Sequence, residues 1–380
     1  MRKDEIIFSP LGGGQRVGAS CYYLCFRNHH ILLDAGIDSN KRTPVWSHLL
    51  GYHRLTSMNQ IEQIYISHAH MDHIGSLFGM MSQCSQASVY MTAITKSLAE
   101  LQIYDRIYFN SLQNDEKKRI AAKNCLDRIT VVSYMKTMDF HDYRVTFYPA
   151  GHIPGAMMTL LELPRCNILY TGDYSISESP LCLGCTIPSN KKIDVVILCG
   201  LHAKHPDYQK KKDVLFQKIR KIFYIAETNR RSVQCCVSQL SKGVEFLKLL
   251  NEKNTSGIPI LVDESIMQVV RKMEQNGFQI LSKYNRLVSR MSAAQPCIYL
   301  TSGNRTLTDC YERLDIDFTL HEDFEEMKQF IKSINPKHVY LVHCAPPVHE
   351  EDITIEQALL WDTDCRVQFT FAQDESIYYI

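Results

Sequence analysis

Between Ser67 and Gly75 the chain reads Ser-His-Ala-His-Met-Asp-His-Ile-Gly, so His68, His70, Asp72 and His73 fall within six positions. This density constrains the fold more than any other feature, because on a loop that follows a strand the four side chains can converge on one point. Neutral imidazole and carboxylate suit a divalent first-row metal, zinc above all. The plain alternative is a polar turn with incidental histidines. The preceding segment, Ile61 to Ile66, alternates like a half-buried strand and would present the loop at the C-terminal end of a sheet.

Four residues can serve two metals only if more ligands arrive later in the chain. Ala150-Gly-His152-Ile-Pro-Gly155 follows the strand-like Arg144 to Tyr148. Tyr170-Thr-Gly-Asp173-Tyr174 follows the apolar run Asn167 to Tyr170. Val339-Tyr-Leu-Val-His343 is a buried-strand run that ends in histidine. Singly, a strand-end histidine is more often structural than ligating. The weight lies in the order: the cluster, then His152, then Gly172-Asp173, then His343.

That order resembles the metallo-β-lactamase superfamily. Asp34, in Ile31-Leu-Leu-Asp-Ala-Gly36, matches its early strand-end aspartate, a support for the metal loop rather than a ligand. The resemblance narrows to the β-CASP nucleases. Leu11-Gly-Gly-Gly-Gln-Arg-Val-Gly18 is similar to their glycine-rich N-terminal signature. Asp317-Phe-Thr-Leu-His321-Glu-Asp323, Phe330 to Pro336 and His338 to His343 are similar to the region of their later motif histidines. The similarity covers most of the chain, is specific at the metal loop and the C-terminal third, and is loose from about residue 200 to 295.

The resemblance implies an α/β fold, a four-layer αββα sandwich made from residues 1–200 and 340–380, with a short inserted α/β β-CASP cap at 201–325. The active site would lie in the groove between them. His68, His70 and His152 would hold one zinc ion, Asp72, His73 and His343 a second, and Asp173 would bridge; manganese and magnesium are the other candidates. Two such ions share a hydroxide whose pKa falls towards neutrality, and they also hold a phosphate oxygen. His321 matches a motif histidine near the leaving oxygen, where an imidazolium donates a proton. Its alternative is a surface helix-cap role ahead of Glu322-Asp323. Catalytic roles thus fall to Asp72, Asp173 and His321, and candidate substrate contacts are Lys242, Ser302, Lys210 and Lys211. Histidine at the last ligand position, here His343, goes with RNA-processing members, whereas DNA-repair members carry valine.

Two departures sit away from the ligands. Cys199 ends the strand Asp194 to Cys199, where relatives carry an acidic residue that orients the motif histidine. A thiol stabilises imidazolium less well, and His202 or Asp207 are candidate substitutes. A carboxylate restored at position 199 would then be expected to improve leaving-group protonation. At Ser241-Lys242-Gly243, relatives have a Gly-Arg helix start. Lys242 keeps the charge and loses the bidentate fork.

Length and composition agree with this reading. The 380 residues suffice for two modest domains or one domain with an insertion, and the net charge of +1 provides no global field for nucleic acid. Local basic groups, Lys191-Lys192, Lys210-Lys211-Lys212, Arg220-Lys221 and Arg230-Arg231 among them, read as solvated helix faces or as phosphate contacts. The 14 cysteines are scattered, as expected of free thiols in a reducing compartment, and Cys182-Leu-Gly-Cys185 has no second pair at zinc-ribbon spacing. No apolar run reaches the roughly 18 residues that cross a bilayer. The apolar part of Met1 to Ile7 is too short for a signal peptide. A cytosolic protein without a membrane segment is therefore expected; its oligomeric state is not legible.

Strands are expected at 4–8, 21–26, 30–34, 62–66, 88–91, 144–148, 156–163, 166–170 and 194–199, with a polar helical excursion at 106–128. A second alternation has helices at 210–225, 242–250 and 265–275 and strands at 232–237, 258–262 and 297–301, which suggests a separate parallel sheet. Residues 323–334 read as an amphipathic helix, and 367–371 and 376–379 as closing strands. The favoured function is a metal-dependent nuclease acting on RNA. The alternatives are a small-molecule metallo-hydrolase, against which the motif around His321 argues, and a catalytically weakened scaffold subunit, which Cys199 motivates.

Overall fold

The computed structural model describes residues 5–38, 55–110, 116–206, 212–287, 296–303, 310–345, 354–362 and 366–380. The chain divides into two compact units. One comprises Met1–Ser177, Gly184–Gln209 and His321–Ile380, and the other Glu178–Leu183 and Lys210–Leu320.

The first unit is built on two seven-stranded sheets. One runs in the order β19 (Tyr378–Tyr379), β1 (Ile6–Gly12), β2 (Cys21–Phe26), β3 (His29–Leu33), β4 (Ile61–Tyr65), β5 (Ser88–Thr92), β6 (Ile129–Val132). The other runs β18 (Gln368–Phe371), β17 (His338–Val342), β11 (Val195–Cys199), β10 (Asn167–Tyr170), β9 (Met157–Glu162), β8 (Arg144–Pro149), β7 (Thr137–Asp139).

Side-chain alternation explains the layering. In β2, Tyr22, Leu24 and Phe26 join one core with Phe147, Leu161, Ile168, Ile197 and Tyr340 of the other sheet. Cys21, Tyr23 and Cys25 point the opposite way, into a core shared with Leu77, Met80, Ala99 and Cys125 of flanking helices. Every residue of β2 is buried as a result, as expected of a strand covered on both faces. On the second sheet Val196, Leu198, Val339 and Leu341 lie outside the inter-sheet core yet are buried too, so that outer face is also covered. The architecture is the α/β four-layer sandwich of the sequence reading.

Register decides where the functional loops emerge. Leu33 is level with Tyr65, so Asp34 and Ser67 leave the first sheet side by side. Tyr170 is level with Ile197 and Cys199 with Val342, so residues 171–173, Cys199 and His343 leave the second sheet at one end.

The second unit holds a fully parallel five-stranded sheet, β14 (Asn285–Leu287), β13 (Ile260–Val262), β15 (Ile298–Thr301), β12 (Val233–Cys236), β16 (Glu312–Asp315), with helices Lys212–Glu227, Lys242–Lys253 and Glu264–Gln275. The expected polar excursion is two helices, Ala93–Asn110 and Glu116–Asp127, the second of which buries Ala122, Cys125 and Leu126. The described cysteines are free thiols. Among the described residues no helix is long and apolar enough to cross a membrane.

Candidate metal centre

Asp34 builds the base of the site. It has a left-handed backbone, φ 62°, and a fully buried carboxylate. Oδ1 accepts from Ser67 N–H at 2.6 Å. Oδ2 accepts from Ser67 Oγ at 2.7 Å and Tyr170 OH at 2.5 Å, and His73 Nδ1 lies 2.7 Å away. A carboxylate facing Nδ1 fixes that nitrogen as the donor and turns Nε2 into the site, which is how supporting carboxylates orient metal-bound histidines. Asp34 thus sits behind the ligands. Ser67 Oγ lies 3.0 Å from His68 Nδ1, so the same two residues position both histidines.

The loop packs tightly on its neighbours. Gly172 has φ +55°, and a Cβ there would sit 2.5 Å from Ser67 Cβ, so only glycine lets residues 171–173 lie against the metal loop. Gly13 is another such position. With φ +73°, a Cβ would come within 2.8 Å of Tyr22 OH. Its carbonyl accepts the N–H of His343 at 2.5 Å, and Ser20 Oγ lies 3.1 Å from His343 Nδ1. The glycine-rich N-terminal segment therefore serves to hold His343, which is itself left-handed at φ 58°.

Asp173 Oδ2 is the centre. His73 Nε2 lies 3.3 Å from it, His68 Nε2 3.6 Å, His321 Nε2 3.7 Å and His152 Nε2 3.8 Å. Asp72 Oδ2 is 3.8 Å from the Nε2 atoms of both His73 and His343. Three donor groups result, each with its ligand atoms within 4.8 Å of one another: His68, His70, His152 and Asp173; Asp72, His73 and His343; and Asp173, Cys199 and His321.

The donor set fits a divalent cation on chemical grounds. His68 Nε2 and His152 Nε2 approach His70 Nδ1 at 3.0 and 3.2 Å. Buried nitrogens this close cannot all be satisfied by one another once neutral. Burial, with the charges of His73 and His70, pushes His68 well below the ordinary histidine range, and burial also pushes His70 down, so both keep lone pairs. Oδ1 of Asp173 is buried with no hydrogen-bond partner among the described residues. The imidazoles of His73, His343 and His321 outweigh burial and hold this carboxyl well below its usual range, hence ionised. At His73 the carboxylates of Asp173, Asp72 and Asp34 outweigh burial and raise the ring well above its ordinary value, so a cation would displace a proton from Nε2.

The structure therefore brings His68, His70, Asp72, His73, His152, Asp173, His321 and His343 together within the first unit. His321 does not cap the following helix. Asp323 does, in a capping box with Glu326, and its side chain accepts from Glu326 N–H at 2.9 Å. Burial pushes His321 well below the ordinary histidine range, against the pull of Asp173. Lys242 and Ser302 lie in the second unit. There Lys242 Nζ pairs with Asp317 at 2.6 Å, and Ser302 N–H donates to Asp263 at 2.5 Å. Lys210, Lys211 and Asp207 lie outside the described residues. The sequence reading missed Ser20, Ser67 and Glu322. Glu322 is wholly buried beside His321, and its charge adds to burial in pushing the Cys199 thiol up. A Gly-Asp or His motif flags a ligand; no motif marks a serine or a glutamate that acts behind one.

Two face-to-face sheets with metal-binding groups on the loops at their strand ends define the class, an αββα metalloprotein sandwich. Residues 23–197 match the family model described as the metallo-beta-lactamase superfamily domain. The chain is 32 % identical over 201 residues to endoribonuclease ysh1 of Emericella nidulans, an alignment covering 51 % of this chain and 22 % of that protein. It is 31 % identical over 324 residues to cleavage and polyadenylation specificity factor 73 of Drosophila melanogaster, covering 81 % of this chain and 45 % of that protein. The chain thus spans less than half the length of these relatives. A crystal structure of a protein of unknown function from Enterococcus faecalis V583 aligns over 99 % of this chain and 100 % of its own, with a TM-score of 0.62 and 12 % identity, and shares the fold. Residues 23–197 thus carry a metallo-beta-lactamase superfamily domain, in a chain similar over much of its length to named endoribonucleases.

Proposed function

We propose that this protein is a zinc-dependent endoribonuclease. The reading rests above all on Asp173 Oδ2, one carboxylate oxygen within 3.8 Å of four imidazole nitrogens, in a chain whose relatives are named endoribonucleases. His68, His70 and His152 would hold one ion, Asp72, His73 and His343 the other, and Asp173 would join them. Such a pair, when bound, supplies a hydroxide near neutral pH and offsets negative charge on a phosphodiester.

The chain's own residues account for the rest. Asp34 and Ser67 fix the rings of His73 and His68 before any substrate arrives, so little reorganisation accompanies the reaction. His321 stands at the edge of the donor set, its ring centroid 4.3 Å from that of His152. Burial pushes its pKa down, and the charge of a phosphodiester beside it opposes that effect and favours the protonated ring. Nε2 then holds the proton that the departing 3′ oxygen takes. Lys242 and Ser302, with Lys210 and Lys211, would contact RNA phosphates. RNA is preferred to DNA on the strength of His343 at the last ligand position.

The test is cleavage of labelled single-stranded RNA and DNA by protein reconstituted with zinc, with and without chelator. Internal cleavage of RNA that chelator abolishes is expected. Zinc-loaded protein that leaves RNA intact would refute the reading.

A further inference from the structure

His321 is bracketed by carboxylates on both ring nitrogens. Nε2 lies 3.7 Å from Asp173 Oδ2, and Nδ1 lies 4.0 Å from Glu322 Oε2. Glu322 is fully buried, and its backbone N–H donates to Tyr174 O at 2.9 Å. The Asp323–Glu326 capping box follows at once, and Glu326 in turn accepts from Ser177 N–H at 3.1 Å. The backbone that carries His321 and Glu322 is thus tied down at both ends.

Position 199 cannot supply a carboxylate. Cys199 is a buried, uncharged thiol at the end of β11, in one donor group with Asp173 and His321. The charge of Glu322 reaches both Cys199 and Tyr174, so a carboxylate stands beside the position where the family resemblance leads one to expect an acid, delivered from the segment that enters the helix Phe324–Ile334. Asp207 lies outside the described residues, and the ring of His202 lies beside that of His205, centroids 6.3 Å apart.

We infer that Glu322 is the positioning residue for His321, taking over the role of the missing acid at position 199. Its carboxylate holds the Nδ1 side of the ring and leaves Nε2 facing Asp173 and the leaving oxygen. The inference rests on the nuclease reading for its kinetic consequence, and on geometry alone for the orientation of the ring. It also changes what a carboxylate at position 199 would do. With Glu322 in place, Cys199→Glu sets two buried carboxylates side by side beside Asp173 and lowers activity; with Glu322 neutralised, it restores the charge.

Two measurements test this. The first needs no turnover: the ring nitrogen chemical shifts of His321 in the wild type and in Glu322→Gln, assigned with His321→Ala. We expect Nδ1–H as the wild-type tautomer and a mixed or Nε2–H population in Glu322→Gln. Identical tautomers in both would overturn the inference even if the protein proves not to be a nuclease. The second compares RNA, whose leaving alkoxide needs a proton, with a p-nitrophenyl phosphodiester, whose leaving group does not. Glu322→Gln should lose about 10- to 100-fold in kcat on RNA, with KM and the p-nitrophenyl rate nearly unchanged. The Cys199→Glu, Glu322→Gln double variant should regain much of the loss. Equal losses on both substrates, no loss on RNA, or a double variant no better than Glu322→Gln would each overturn it. A wild type that fails on RNA counts against the nuclease reading instead, and the tautomer measurement still decides the role of Glu322.

Discussion

Asp34→Asn changes one oxygen and leaves the shape of the site intact. In the wild type Oδ2 of this buried residue faces Ser67 Oγ, His73 Nδ1 and Tyr170 OH at 2.7, 2.7 and 2.5 Å. An amide nitrogen there presents hydrogens to three groups that had presented theirs. The two hydroxyls can rotate and accept. His73 can adapt only by moving its proton to Nε2, the atom that faces Asp72 and Asp173. One hydrogen bond to a charged group is worth roughly 1.5–3 kcal/mol, so with partial rescue the fold should lose about 2–4 kcal/mol. A supporting partner of a metal-bound histidine is worth about 10- to 100-fold in affinity, or about 1.4–2.7 kcal/mol. The effect should be lopsided: the ion that Asp72, His73 and His343 would hold weakens, while the one that His68, His70 and His152 would hold is nearly unchanged. Stepwise zinc titration against a chromophoric chelator resolves the two, and denaturant unfolding of the metal-free protein gives the stability term. Two zinc equivalents at wild-type affinity in Asp34→Asn would refute the claim that Asp34 sets the tautomer of His73.

Freshly purified protein should carry close to two zinc equivalents by elemental analysis; one or none would remove the dinuclear assignment. Asp72→Ala and His73→Ala should each lower RNA cleavage by at least about a hundredfold, the scale of a lost electrostatic group at a transition state, and wild-type turnover in either would detach the activity from this site. In the second unit Glu245 accepts from Ser179 Oγ at 2.7 Å, and burial pushes its carboxyl from 4.5 up to about 7. The folded form therefore keeps a proton that the unfolded chain has already lost, so stability falls as pH rises through that window, by roughly 3 kcal/mol at 1.36 kcal/mol per unit. Glu245→Gln should remove this dependence and gain on the wild type in denaturant midpoints between pH 5 and 8; a gap that stays constant with pH would count against the shifted carboxyl.

The donor set was legible because its chemistry is local. His68 to His73 announce themselves by density, and His152, Asp173 and His343 by ending apolar runs. Such runs mark strands covered on both faces, as β10, β11 and β17 are. Edge strands left no comparable trace. Thr137–Asp139 and Glu312–Asp315 are largely exposed and polar, so no periodicity flags them, and each is paired along one side only. β1 was expected to stop at Phe8 but runs on through Pro10, where a bulge absorbs the missing donor. Ile129–Val132 buries only its two ends, too little for a pattern. Glu322 was read as part of a helix entry because Glu-Asp before an apolar helix is ordinary cap chemistry. Only the approach of β11 and the Tyr174 loop in space makes that glutamate a buried neighbour of His321.

The pairing of β11 with β17 has a consequence for how the protein is made. Val195 to Cys199 lie alongside His338 to Val342, but Lys210–Leu320 are synthesised in between. At about 5–20 residues per second a ribosome needs on the order of ten seconds to cross that interval. Throughout it, β11 is an open strand edge on the nascent chain, with the first donor group already translated and His321 and His343 still to come. An exposed edge of this kind invites pairing with a neighbouring chain. The inserted unit, with its own parallel sheet, has that interval in which to fold by itself. Yield in a foreign host should therefore depend on translation speed across residues 200–340 and on chaperone supply, more than on any single contact in the finished protein.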